Sequence, residues 1–204
     1  MADETKAKRS YTVPVLLIMM MVMMTLIIVF YSKNLLIGQA RETETGQRIA
    51  ERYGFAEMFA DRLQGGAEGM LNAKTTADKV KAAELLGGAK VAAGEAIVLF
   101  ADADRQATGQ SAEEAIKPYA EIANRIFGEG GALDGVGQRE GALTERQVEA
   151  LTLARDVAAD VQKKLGAYRP LTGEAGYRQM EAGGQWIPSA AEAGKAYLAY
   201  GKSR

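Results

Sequence analysis

Leu143 to Leu165 reads LTERQVEALTLARDVAADVQKKL, and this stretch decides the fold class. Val148, Leu151, Ala154, Ala158, Val161 and Leu165 recur at spacings of three and four, which is one apolar stripe along a helix. Thr144 stands three residues before Gln147, so the hydroxyl and the amide can satisfy each other's backbone N–H groups as a capping box. Nothing in this stretch alternates with the period of a strand.

Working toward the N-terminus, the same grammar repeats. Gly128 to Gly141 reads GEGGALDGVGQREG, a glycine-rich loop. Before it, Ser111 and Glu114 form another capping box. That box opens a helix carrying Ala115, Tyr119, Ile122 and Ile126, in which Pro118 should produce a kink or a late start. A further helix should begin near Thr75 or Thr76, with Asp78 in its first turn and Val80, Gly87, Val91, Gly94, Ile97 or Val98, and Ala101 as its stripe. Gly87 and Gly88 either bend that helix or admit a neighbour closely. Ile49, Tyr53, Ala56, Ala60 and Leu63 mark an earlier helix, expected to end at Gly65-Gly66. The chain holds 36 alanines and 23 glycines, which favours helices in close, small-residue contact.

Ahead of all these lies PVLLIMMMVMMTLIIVFY, Pro14 to Tyr31, with five methionines in six residues. Val13 to Tyr31 is uncharged, and nineteen helical residues cover about 28 Å, close to the ~30 Å hydrocarbon core of a bilayer. The run exceeds the 7–15 residues of a secretory apolar core, although Gly38-Gln39-Ala40 has the small-x-small form of a cleavage site. Methionine can bind soft metals, but in a lipid-length run it reads as a flexible hydrophobe. Tyr11 and Tyr31 bracket the run as interfacial aromatics do. Lys6, Lys8 and Arg9 precede it, and Lys33 and Arg41 follow, which tips the orientation toward a cytoplasmic N-terminus.

The expected organisation is a cytoplasmic tail over residues 1–12, a transmembrane helix over 13–31, and an extracytoplasmic antiparallel bundle of about four helices over 32–168. A glycine-, proline- and aromatic-rich tail with short helices follows over 169–204. Ser189 and Glu192 have the spacing of a third capping box, opening a last helix with Tyr197 and Tyr200.

Composition narrows the chemistry. There is no His and no Cys, which removes the usual nucleophilic triads, nitrogen- or sulfur-based zinc sites and disulfides. The net charge is −1 with both signs interspersed, so no basic face for nucleic acid is visible. No cofactor is expected.

Three candidate sites follow. DADRQATGQSAE, Asp102 to Glu113, places Asp102, Asp104, Gln106 and Glu113 at positions 1, 3, 5 and 12 of a calcium loop. Ala107 stands where that loop needs glycine, and the plainer reading is a helix end followed by a cap. Tyr177, Trp186, Tyr197 and Tyr200 offer a partner-contact surface, set against the plainer role of anchoring the tail to the core. Glu129, Asp134 and Glu140 put carboxylates on the glycine-rich loop, as an envelope hydrolase would need or as mere solvated spacing.

Ile126 to Leu165, with Phe127 before the loop and Leu143, Leu151, Val161 and Leu165 after it, resembles a helical hairpin of the YpeB-type spore germination proteins. That part of the family lies outside the cytoplasm behind a membrane span. The resemblance implies an accessory role in sporulation or germination. No counterpart of the family's C-terminal β-rich repeats is visible in this sequence.

The expected function is a membrane-anchored, non-enzymatic structural or protein-interaction module of a bacterial envelope. Its partners would be the bilayer, another envelope or membrane protein, and in some assemblies a second copy of itself. The competing reading is a ligand-sensing bundle acting through a membrane partner.

Overall fold

Each helix start that carries a reciprocal cap in the sequence, with one exception, is a helix start in the computed structural model, which describes residues 12–137 and 142–202. The N-terminal flank with Lys6, Lys8, Arg9 and Tyr11 lies outside the described residues, as does Glu140. Helices α1 (Thr12–Leu71), α2 (Thr76–Thr108), α3 (Ala112–Phe127), α4 (Glu145–Leu165), α5 (Gly173–Gly183) and α6 (Ile187–Ala199) are followed by a short 3₁₀ turn, Tyr200–Lys202. There is no strand among the described residues. The chain forms two units, Met1–Glu42 and Thr43–Arg204.

The described part of the first unit is the apolar beginning of α1. Its large side chains from Val13 to Tyr31 are exposed, as are Leu35, Leu36 and Ile37, and Phe30 keeps 71% of its surface. The Thr25 hydroxyl donates to the Met21 carbonyl at 2.9 Å, so the polar residue of the run is satisfied within its own helix. This is a helix long and apolar enough to cross a membrane.

In the second unit, the expected stripe of α1 is its buried face: Tyr53, Ala56, Ala60 and Leu63 are fully buried, and Ala67 and Met70 extend it. The helix does not end at Gly65-Gly66 but continues to Leu71. Packing overrides the weak helix propensity of glycine here. A Cβ on Gly66 would come within 2.9 Å of the Leu86 backbone nitrogen, and one on Gly69 within 3.3 Å of the Ala82 methyl. These contacts, with Arg52 beside Asp102, make α1 and α2 antiparallel neighbours.

Thr75 caps α2 at the expected start, and Asp78, expected only to favour the helix N-terminus, returns the bond as a reciprocal box. The stripe expected for α2 is corrected in part, since Ala101 is buried and Ile97 is half-buried against the core. Val80 and Val91 are 52% and 80% exposed, while Ala82, Leu86, Ala89, Ala93, Ala96, Phe100 and Ala103 face the core. An alanine face buries little area per residue but lets helix axes approach, and valine's larger hydrophobicity misdirects the sequence reading. Gly87 and Gly94 face open space, whereas a Cβ on Gly88 would strike the Arg62 side chain.

Ser111 and Thr144 cap α3 and α4 with full reciprocal boxes. Pro118 neither ends α3 nor delays it. It lies on the exposed face, so water can reach the Glu114 carbonyl that the proline leaves without an N–H. The expected α4 stripe is buried from Leu151 to Leu165, but Val148 is 41% exposed and Ala150 takes its place.

The last helix is a core element. Helix α6 packs against α4, α2 and α3, burying Ala190, Ala193, Gly194 and Tyr197. Its expected capping box does not form. Helix α6 begins at Ile187, and Glu192 pairs with Lys195 at 2.8 Å. Ser189 is buried, and its hydroxyl donates to the Lys164 carbonyl at the end of α4. Tyr53 donates to the Leu165 carbonyl at 2.5 Å and lies 3.0 Å from the Ser189 hydroxyl. Helix α4 thus ends on side chains from α1 and α6 that satisfy carbonyls it would otherwise leave orphaned.

Candidate functional site

The calcium reading does not survive the local geometry. Asp102, Asp104 and Gln106 lie on α2, which runs to Thr108 and ends on Gly109 in the left-handed conformation, while Glu113 is in the first turn of α3. On a helix, residues two apart point about 200° away from each other, so Asp102 and Asp104 cannot share a cation. Asp102 binds Arg52 at 2.8 Å, and Asp104 accepts from the Tyr119 hydroxyl at 2.7 Å. Among the described residues no group of three or more carboxylates is placed to hold a metal.

Three of the four partner-contact aromatics are inside the molecule. Trp186, Tyr197 and Tyr200 are at most 2% exposed, so they anchor the C-terminal segment to the core instead of facing a partner. Tyr177 remains half-buried on α5. Tyr197 stacks on Tyr119 and meets Phe59 edge-on and Phe100 tilted, so the ring contacts tie α6 to α1, α2 and α3. Burial pushes the hydroxyls of Tyr119 and Tyr197 above the usual phenol range, with the hydrogen bond to Asp104 adding to the first.

Of the loop carboxylates, Asp134 accepts the Gly130 N–H at 2.9 Å and so closes its own turn. Glu129 lines the rim of an open cavity of about 360 Å³ at one end of the bundle. Arg125 from the last turn of α3 and Arg146 from the first turn of α4 line the same cavity, with Gly130, Tyr200 and Gly201. Neither guanidinium pairs with a carboxylate among the described residues. Sequence reasoning passed over both arginines because each reads singly as a solvated helix residue. Their convergence depends on the turn between α3 and α4 and on the C-terminal residues.

A second cavity of about 420 Å³ lies between the end of α1 and the start of α2, with Lys74, Asp78 and Lys81 in its wall. Its Asp78 carboxylate is held below the usual range by bonds from Thr75 and Lys74.

No protein family model matches the chain, and no curated protein or solved structure is similar to it.

Proposed function

We propose that this chain is a membrane-anchored, non-enzymatic module of a bacterial cell envelope, with its N-terminus in the cytoplasm and its helical unit outside. Its work is to hold or present a protein partner. The observation that carries the anchoring is the apolar beginning of α1, whose large side chains from Val13 to Tyr31 are exposed.

A binding role is favoured over catalysis by how the acids are used. Asp102, Asp104 and Asp134 are each bound to a group that holds the fold. The outward face of α2, with Val80 and Val91 exposed and Gly87 and Gly94 open, supplies apolar surface for a partner. The sequence pattern of Ile126 to Leu165, which resembles a helical hairpin of YpeB-type germination proteins, would point to an accessory role in sporulation or germination. The ligand-sensing reading rests on the arginine-lined cavity.

The test is photo-crosslinking in intact membranes. A crosslinking residue at Val91 should capture one defined membrane or envelope protein, and one at the exposed Glu149 of α4 should not. Recovery of the chain in the soluble fraction after lysis, or identical products from both positions, would reject the proposal.

A further inference from the structure

The turn after α3 removes the ordinary duty of Arg125. An arginine in a last helical turn commonly bonds the orphan carbonyls there. Here the Asn124, Arg125 and Ile126 carbonyls already accept from the N–H groups of Gly128, Ala132 and Leu133, at 2.8, 2.8 and 2.9 Å. Arg146 has the opposite problem. It occupies the first turn of α4, where the helix dipole repels a cation; Glu145 in the same turn suits the dipole, but no carboxylate among the described residues pairs with the Arg146 guanidinium. Two guanidinia without an ion-pair partner among the described residues therefore line one cavity, large enough for a small molecule and open to solvent. Among the described residues Glu129 is the one acid in the lining, set against two arginines, so these residues carry a net positive charge.

We propose that this cavity is a binding site for a small oxyanion, a soluble ligand bearing phosphate or carboxylate groups that Arg125 and Arg146 grip from the two sides. The planar fork of each guanidinium matches either group with paired hydrogen bonds. An anion there also removes the unfavourable interaction of Arg146 with its own helix. The glycine at position 130, with φ of +71°, shapes the turn that brings Glu129 and the α3 end to the rim. The site is independent of the anchoring and partner-holding roles proposed above, and its ligand could regulate either.

Calorimetry on the full chain in phosphatidylcholine nanodiscs, titrated separately with inorganic phosphate and citrate, tests the assignment. At least one anion should bind saturably. Arg125→Gln and Arg146→Gln should each weaken it about tenfold or more, since each removes a charge-assisted contact. Glu129→Gln should tighten it, by about two- to fivefold, because an opposing charge leaves the rim. Nanodiscs containing phosphatidylglycerol distinguish the sources: undiminished citrate or phosphate binding supports a soluble ligand, and complete competition overturns that in favour of a lipid headgroup. The site is rejected if neither anion gives saturable heat up to about 10 mM, or if both arginine variants bind as the parent does while retaining its helical circular dichroism.

Discussion

Ser189 and Glu192 have the spacing of a capping box, yet the Ser189 hydroxyl serves the end of α4 and Glu192 takes Lys195. Burial is the reason: a serine facing the core must spend its hydrogen bonds on whatever carbonyls meet it there. Ser189→Ala should therefore destabilise the second unit by about 1–3 kcal/mol, measured by chemical denaturation, because it leaves carbonyls at the end of α4 without that donor. Glycines divide in the same way. A Cβ on Gly46 would collide with the Tyr177 backbone carbonyl, whereas Gly94 has nothing within 4 Å. Gly94→Ala should stabilise by about 0.5–1 kcal/mol through helix propensity, and Gly46→Ala should lose that gain by displacing α5. Equal effects of the two substitutions would refute the close approach. The sequence presents both residues simply as glycines within helices, because what a Cβ would meet belongs to another segment.

Among the helices, α5 is the weakest by construction. It carries Gly173, Gly176 and Gly183 in eleven residues, buries only Met180, and has no side-chain bond at its N-cap Thr172. Its fastening to α1 is the Gly46 approach and a bond from Arg178 to the Thr43 hydroxyl at 3.1 Å. Helix α4 has a full capping box and a continuous buried face. Hydrogen exchange should find the amides of α5 at least about tenfold less protected than those of central α4, and Met180→Ala should widen the gap. Matching protection would mean that α5 is fastened by more than these contacts. Caps at Thr75, Ser111 and Thr144 were legible because each is made by residues three apart in one segment. The face of α2 was not, since alanine and valine differ in hydrophobicity in the wrong direction for deciding which neighbour lies close.

At the scale of the second unit, the aromatic core has a pH consequence. Burial, with smaller additions from Glu57 and Tyr168, pushes the Tyr53 hydroxyl up to about 12 despite the opposing bond from Ser189. Tyr119 and Tyr197 are raised further by their burial. The folded state then keeps protons that the unfolded chain releases near pH 10, so the contribution of these tyrosines to stability is unchanged below about pH 10 and falls as pH rises above it. An alkaline titration should show these phenolates appearing only together with loss of helical circular dichroism; ionisation near pH 10 with the helices intact would contradict the burial. The all-helical class, the apolar lipid-length helix and three of the helix starts were written in local pattern, because hydrophobic period and cap spacing act within a few residues along the chain. The inclusion of α6 in the core, the burial of Trp186, the dispersal of the calcium-loop acids and the meeting of Arg125 with Arg146 were not. Each depends on which segments share an interior, and that is set by shape and close packing among residues far apart in sequence.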